Sequence, residues 1–255
     1  MIDLLRRARL RLLQMHYESG VGHIGGNLSC LDLMLTLHHR VMHSDDRFVL
    51  SKGHAAGALY VTLWSLGDLT EDDLKSFHKD PTHLAGHPPP EGIQNILFAT
   101  GSLGHGLGLA AGVALGKQLR KDPGRVFCLM SDGEWNEGSN WEALAFISHH
   151  RLNNISIIVD LNGLQGFGST KEVADIGVLA DRFRGLALDV VCIDGHNPES
   201  IEEALRLDPA DKAVAIIATT VKGHGVSFME NQMAWHYLPM NAEQYLQASE
   251  EIGRR

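Results

Sequence analysis

The sequence predicts an α/β fold in which a parallel, twisted β-sheet carries helices on both faces. In the second half of the chain, short apolar runs alternate with segments whose apolar residues recur at helical spacing. Runs such as "RVFCLM" and "AVAIIATT" are apolar almost throughout, which is typical of parallel strands buried on both faces. A chain of 255 residues with 44% hydrophobic residues is long enough for one large core. We therefore expect a single domain spanning residues 1–255.

The first half of the chain predicts helices around one short strand. Leu5, Ala8, Leu12 and Met15 fall at helical spacing in the N-terminal segment, which indicates an amphipathic helix. A glycine-rich loop, "GVGHIGGN", follows that helix. The next predicted elements are the helix "LSCLDLMLTLHHRVM", the strand "RFVL" and the helix "HAAGALYVTLWSL".

A long irregular stretch separates the two halves. It follows the short segment "TEDDLKSFHK", where Thr70 and Asp73 form the pattern of a helix capping box. The stretch reads "DPTHLAGHPPPEGIQNILFATGSLGHG", with too much proline and glycine for regular structure. Loops of this length inside a compact domain are usually functional.

Beyond this loop, helices and strands alternate to the end of the chain, without an internal repeat or a linker. The alternation predicts βαβ units, which place all strands in parallel. The predicted helices are "GLGLAAGVALGKQLR", "NWEALAFISHHRL", "IGVLADRFRGL", "PESIEEALR" and a charge-dense C-terminal helix, and the strands are "RVFCLM", "ISIIVD", "ALDVVCID" and "AVAIIATT".

Composition excludes several classes of function. A formal charge of −9 without a basic, aromatic-rich patch argues against nucleic acid as a partner. The longest apolar runs are only of strand length, so no membrane span is expected. The N-terminus lacks the pattern of a signal peptide, and Cys30, Cys128 and Cys192 sit unpaired in apolar runs. We expect buried, reduced thiols in a cytoplasmic protein.

Polar residues follow two of the predicted strands at the point where each strand ends. Asp132 comes directly after "RVFCLMS", and Asn162 follows "ISIIVDL" about thirty residues later, one βαβ unit away. Ligands of open parallel sheets bind beyond the carboxyl ends of the strands. Carboxylate and amide oxygens suit Mg²⁺ or Ca²⁺, and Mg²⁺ usually shares its shell with phosphate oxygens. The alternative is that both residues only cap helices and turns.

An SDG followed about thirty residues later by an asparagine resembles the thiamine diphosphate motif. Further motifs match in one order over nearly the whole chain. They are "GHIGGNLS", "DRFVLSKGH", "GHP", "TGSLGHGLG", "DGEWNEG", "NGLQGFG", "IDGHN", "KGHGVSFMEN" and "WHY". The chain therefore resembles the N-terminal, pyrophosphate-binding half of a transketolase, of the kind that is split into two subunits.

This resemblance implies a cofactor site with a metal ion. A divalent cation, Mg²⁺ or in its place Ca²⁺, would be held by Asp132, Asn162 and the main-chain carbonyl of Leu164. It would bridge to the diphosphate of thiamine diphosphate. The implied cofactor contacts are Gly133 at the diphosphate, His54 and His236, and the backbone of Gly101, Ser102 and Leu103 on the aminopyrimidine side.

The resemblance also implies a set of catalytic residues. His23, His87 and His236 would face the reacting carbon and the sugar hydroxyls, a task that suits imidazoles of near-neutral pKa. Glu137 would lie at the subunit boundary and couple to a glutamate of the partner. By itself, Glu137 could equally be a charge that complements a helix dipole.

Some positions depart from the family pattern or allow two interpretations. The departures are Ser131, Ser102, His105 and Tyr237, and they bear on substrate contacts more than on the metal site. Lys52 and Lys222 could serve phosphate oxygens or be solvated lysines. Trp135 and Trp141 are interpreted as packing residues.

The predicted function is that of one subunit of a transketolase-like enzyme, transferring a ketol unit from a phosphorylated ketose to an aldehyde. A C-terminal-half partner subunit would supply the pyrimidine-activating glutamate and form a heterotetramer. One alternative is a subunit of another thiamine diphosphate enzyme, such as a 2-oxo-acid dehydrogenase or a carboligase of specialised metabolism. The other is a non-catalytic regulatory module that binds Mg²⁺ and diphosphate.

Overall fold

A five-stranded, all-parallel sheet organises the chain in a computed structural model that describes residues 1–89, 91–208 and 211–254. The strand order is β1-β2-β3-β5-β4. Pro90, in the long loop predicted between the two halves, lies outside the described residues. The strands are β1 (Arg47–Leu50), β2 (Val126–Ser131), β3 (Ile155–Leu161), β4 (Asp189–Asp194) and β5 (Val214–Thr219).

The helices cover both faces of this sheet, which confirms the predicted α/β fold. Residues on alternate positions of each strand pack into two separate apolar clusters. In β2, for example, Phe127 and Leu129 belong to one cluster, and Cys128 and Met130 belong to the other. The helices are α1 (Ile2–Ser19), α2 (Ile24–Thr36), α3 (Ala56–Leu66), α4 (Glu71–Lys75), α5 (Gly106–Arg120), α6 (Gly138–His149), α7 (Thr170–Ala174), α8 (Leu179–Gly185), α9 (Pro198–Leu205) and α10 (Ala242–Gly253).

Helix α2 begins earlier than the sequence predicts. The loop "GVGHIGGN" ends at His23, and Ile24 already starts the helix, although Gly25 and Gly26 favour a loop by propensity. Gly25 is required by close packing, because a Cβ at this position would lie 3.1 Å from the carbonyl oxygen of Trp235. Tertiary packing therefore outweighs the weak helix propensity of glycine at this site.

In the second half of the chain, one prediction was wrong and one short helix was not predicted. Cys192 is exposed rather than buried, because β4 is an edge strand whose side chains are only partly covered. The short helix α7 was not predicted, although Ser169 and Glu172 form a capping box at its start. The capping box predicted at Thr70 and Asp73 is present.

The C-terminal helix docks on the same chain through its apolar face. Ala248 and Ile252 of α10 are buried, and the ring of Tyr245 stacks on that of Tyr17 in α1 at a centroid distance of 4.5 Å. Glu243 and Glu250 are exposed, whereas Glu251 accepts hydrogen bonds from the N–H and the hydroxyl of Ser227. None of the described helices combines the length and the apolar character that crossing a lipid bilayer would require.

His16 gives a prediction for the pH dependence of stability. Burial lowers the pKa of this imidazole from 6.5 to about 4. As the pH falls, the unfolded chain therefore takes up a proton on His16 before the folded chain does. The stability that the neutral ring contributes is fully present above pH 6.5 and is lost as the pH falls toward 4. We expect His16→Leu to remove about 2 kcal/mol of the stability loss that the wild type suffers between about pH 7.5 and pH 5.

Urea unfolding of both proteins at the two pH values measures this difference. His149→Leu, a change of an exposed histidine in α6, is the matched control and should leave the acid sensitivity in place. An equal loss of stability in wild type and His16→Leu would show that His16 does not contribute to it.

Candidate active site

The residues predicted to bind a ligand converge at the carboxyl ends of neighbouring strands. Ser131 pairs with Asp160, and Asp160 pairs with Ala218, so β2, β3 and β5 end side by side. A cavity of about 250 Å³ opens at this edge of the sheet. Its lining includes Asp132, Gly133, Asn162, Leu164, His23, His54, His87, His236, Gly101 and Leu103.

Asp132 and Asn162 are held by backbone hydrogen bonds from the loops that follow their strands. The N–H groups of Gly133 and Gly163 donate to the two carboxylate oxygens of Asp132, at 2.7 and 2.6 Å. Leu164 N–H donates to Oδ1 of Asn162 at 3.1 Å. The loop after β3 is therefore folded against the loop after β2, which brings the two side chains together as the sequence predicted.

A buried ion pair lies directly beneath this site. Lys52 Nζ donates to Oδ2 of Asp160 and to the carbonyl oxygen of Gly26, the latter at 3.0 Å. Asp160 also accepts hydrogen bonds from Ser29, at 2.6 Å, and from Thr220. Both members of the pair are fully buried. The network joins α2, the loop after β1, β3 and the end of β5.

The charges of this pair stabilise each other. Burial alone would lower the pKa of Lys52, but Asp160 outweighs that effect and raises it. Burial would likewise raise the pKa of Asp160, but the charge of Lys52 and the hydrogen bonds from Lys52, Ser29 and Thr220 hold it below its usual value. The negative charge of Asp132 is less well balanced by positive charges, and burial and the nearby charge of Asp160 raise its pKa to about 6.

A second buried carboxylate, Glu134, fixes the loop on the other side of the cavity. Glu134 accepts hydrogen bonds from the hydroxyl of Ser51, from Gly104 N–H at 3.1 Å and from Ser131 N–H at 3.3 Å. Burial raises the pKa of Glu134. The residue thereby ties the loop around Gly101 to the ends of β1 and β2.

Asp160 and Glu134 were not predicted as site residues. The available signal was a carboxylate at the end of an apolar strand or just beyond it. Asp160 ends the apolar run "ISIIVD", and Glu134 follows "SDG".

Four histidine rings line one side of the cavity. The ring of His23 lies 5.8 Å from His54, 6.3 Å from His87 and 5.2 Å from His236, measured between centroids. Burial lowers the pKa of all four, and other cationic groups add to the effect. Neutral imidazoles can donate and accept hydrogen bonds, as contacts to sugar hydroxyls require.

The backbone around His23 is held by Asn27. Its side-chain amide donates to the carbonyl oxygens of His23, at 2.8 Å, and of His54, at 3.2 Å, and its Oδ1 accepts from Ala58 N–H. His23 itself has a left-handed backbone, with φ of 65°. Its N–H donates to the carbonyl oxygen of His236 at 3.1 Å, which joins two of the four histidines through the main chain.

Lys222 brings a second cation to the cavity. It donates to Nδ1 of His236 at 2.9 Å and lies 3.4 Å from the carbonyl oxygen of Leu164. Burial and the charge of Lys52 lower the pKa of Lys222 to about 8, and burial and Lys222 together lower that of His236 to about 3. The interpretation of Lys52 and Lys222 as solvated lysines was wrong, because both side chains are almost fully buried.

Two predicted site residues do not line this cavity. Ser102 is exposed at the rim, where its carbonyl oxygen lies 3.3 Å from Nδ1 of His105. Glu137 is also exposed. Its side chain packs beside Gly104: a Cβ added to Gly104 would lie 2.7 Å from the Cβ of Glu137. Trp135 and Trp141 pack against Phe183, as their interpretation as packing residues requires.

One other cluster among the described residues brings potential metal ligands together, namely Asp32, His196 and His224. Val221 N–H donates to Nε2 of His196, so the proton of a neutral ring sits on Nδ1, which faces Asp32 at 2.8 Å. Arg9 occupies both oxygens of Asp32. These contacts make the cluster a hydrogen-bonded joint between α1, α2 and the loops after β4 and β5.

The implied cofactor fits the residues at the strand ends. Asp132, Asn162 and the Leu164 carbonyl offer one charged and two neutral oxygens, the donor set that Mg²⁺ and Ca²⁺ accept beside phosphate oxygens. The two oxygens of Asp132 receive hydrogen bonds from backbone N–H groups, and a divalent cation would offset its charge. Lys222 supplies a further positive charge for a diphosphate.

Comparison with known proteins shows the family to which this chain belongs. Residues 8–255 match the family model described as transketolase, thiamine diphosphate binding domain. The chain is 37% identical to an apulose-4-phosphate transketolase subunit of Phocaeicola vulgatus, covering 97% of this chain and 92% of that protein. It is 35% identical to the transketolase of Homo sapiens over 98% of this chain, but spans only 41% of that longer protein.

Solved structures of transketolases share the fold of this chain. The crystal structure of transketolase from Campylobacter jejuni superposes with a TM-score of 0.89 at 29% identity, covering 99% of this chain and 42% of that one. A transketolase from Leishmania mexicana superposes with a TM-score of 0.92 at 24% identity, a likeness of fold.

The buried ion pair gives a prediction for stability. We expect Lys52→Met to destabilise the chain by about 3–5 kcal/mol, because Asp160 would remain buried without its counter-charge. The double variant Lys52→Met/Asp160→Asn should recover a large part of that loss, since the neutral amide needs no cation. Urea unfolding measures both.

Lys75→Met, which removes an exposed lysine paired with Asp72, is the control and should hardly change stability. A Lys52→Met protein as stable as the control would mean that the pair does not hold these elements together.

Proposed function

Because the chain belongs to the transketolase family, we propose that it is the N-terminal subunit of a split transketolase that transfers a ketol unit from a phosphorylated ketose to an aldehyde. The observation that carries this proposal is the meeting of Asp132, Asn162, Leu164 and four histidines around one cavity. The chain matches 92% of the length of a relative that is named as a transketolase subunit, which supports the split arrangement. In this proposal residues 1–255 form one cofactor-binding domain.

The metal would be held by Asp132, Asn162 and the main-chain carbonyl of Leu164. We propose Mg²⁺, with Ca²⁺ able to substitute, because the donors are all oxygens and one is a carboxylate. Gly133 would lie against the diphosphate, with His54 and His236 beside the cofactor. Gly101 and Leu103 line the cavity and would contact the aminopyrimidine side, whereas Ser102 would do so through its backbone at the rim.

When bound, thiamine diphosphate would supply the carbon nucleophile that accepts the ketol unit. The histidines of this chain would handle the protons of the sugar. His23, His87 and His236 are held neutral, so each can take a proton from a hydroxyl and, once protonated, return it to a carbonyl oxygen. Asn27 would keep His23 in place through the backbone, which makes it a positioning residue.

The partner would be the C-terminal-half subunit, which supplies the glutamate that activates the pyrimidine ring. Phe167, which lines the cavity, is exposed, and so are Met233 and Leu238 on either side of His236 in the sequence. Exposed apolar side chains of this kind would suit contact with a partner. Glu137, exposed beside the Gly101–Gly104 loop, would face the partner. We propose a heterotetramer, since closed symmetry pairs two such heterodimers. A cytoplasmic location would suit the free cysteines.

We predict that this chain alone shows no ketol transfer and gains it when the partner subunit is added. The physical reason is that the cavity holds the diphosphate end of the cofactor and leaves the pyrimidine end without its glutamate. The assay is steady-state ketol transfer with cofactor and Mg²⁺, from a phosphorylated ketose to an aldose phosphate, for the two polypeptides separately and for the mixture.

A second mixture, of the partner subunit with the His87→Ala variant of this chain, tests the role of the histidines. It should bind cofactor but transfer at least roughly 10²-fold more slowly, the usual contribution of an acid–base group. Equal activity of this chain with and without its partner would contradict the split arrangement, and an inactive wild-type mixture would contradict the proposed reaction.

A further inference from the structure

Tyr237 stands at the mouth of the cavity, directly after His236. Its ring lies 4.6 Å from that of His236 and 6.4 Å from that of His23, measured between centroids. It lines the cavity and is 51% exposed. Tyr237 therefore lies beside the two histidines that the proposed function assigns to the sugar, on the side that faces solvent.

Two glycines leave room for this residue and fix where it sits. A Cβ on Gly22 would lie 2.2 Å from the carbonyl oxygen of Tyr237, so the backbone of Tyr237 rests directly on the loop before α2. A Cβ on Gly166 would lie 2.3 Å from the phenolic oxygen and 3.4 Å from Nε2 of His236. No side chain larger than hydrogen fits at either position while Tyr237 stays in place.

The ring thus bridges two separate loops across the cavity mouth. Its backbone lies on the loop before α2, and its hydroxyl end lies on the loop after β3 that also carries Leu164. The contact with Gly166 limits how far the ring can move toward the loop after β3. An aromatic ring in this position narrows the mouth of the cavity.

A wall at this position limits the sugar beyond its reacting end. A bound sugar would have its carbonyl at the histidines, and its remaining carbons would extend past them toward the mouth. We infer that Tyr237, positioned by Gly22 and Gly166, is a specificity-determining residue that selects short-chain sugars over longer ones. This inference rests on the proposed function, because it presumes a sugar at the histidines.

The test compares acceptors of two lengths in the complex of this chain with its partner subunit. The quantity measured is the ratio of kcat/KM for ribose phosphate to that for glyceraldehyde phosphate. Tyr237→Gly should raise this ratio by at least roughly tenfold, the range over which a pocket discriminates by size. Tyr237→Phe keeps the ring and should keep the wild-type ratio.

Gly166→Ala gives an independent check in the opposite direction. The added methyl would collide with the phenolic oxygen and narrow the mouth between Gly166 and Tyr237, so the ratio should fall below that of the wild type. Cofactor affinity and a thermal melt, measured in parallel, show whether each variant is folded and loaded.

The outcomes separate this inference from the function on which it rests. Wild-type ketol transfer with an unchanged ratio in folded, loaded Tyr237→Gly would overturn the size filter and leave the proposed function intact. A ratio that rises equally in Tyr237→Phe would overturn it as well, since the hydroxyl and not the ring would then set the selectivity. A wild-type complex without any ketol transfer would overturn both proposals together.

Discussion

The buried pair of Lys52 and Asp160 is the interaction on which the geometry of the site depends. It joins segments that are far apart in the chain, since Lys52 follows β1 and Asp160 lies in β3. Ser29 of α2 and Thr220 after β5 complete the shell of Asp160. A buried carboxylate tolerates no loss of its partners. The elements that carry these partners are therefore fixed relative to one another.

The loops after β2 and β3 are positioned by this pair. Asp132 follows Ser131, which pairs with Asp160 across the sheet, and Asn162 stands two residues beyond Asp160. The Asn162 amide even reaches back to Oδ2 of Asp160, at 3.4 Å. A polar network of this kind adds stability only while every member is satisfied. It links the packing of the core to the placement of the proposed metal ligands.

Much of this arrangement could be predicted from the sequence. Alternating helices and apolar strands gave the parallel sheet, and parallel strands bring Asp132 and Asn162 to one edge. Asp160 and Glu134 were missed because their partners, Lys52 and Ser51, are distant in sequence and only the fold brings them near. Cys192 was misjudged because an edge strand cannot be told from a central one by its apolar run alone. Gly25 and Gly26 predicted a loop by propensity, although both lie in a helix and Gly25 is closely packed against Trp235.

In the proposed function these strand ends hold a metal ion and the diphosphate of the cofactor. Calorimetric titration of thiamine diphosphate into the complex of this chain with its partner subunit, with Mg²⁺ and with EDTA, measures this binding. We expect tight binding that requires Mg²⁺, and a loss of at least roughly tenfold in affinity for a folded Asp132→Ala variant. Binding that is the same with EDTA, or the same in Asp132→Ala, would contradict the assignment of the site.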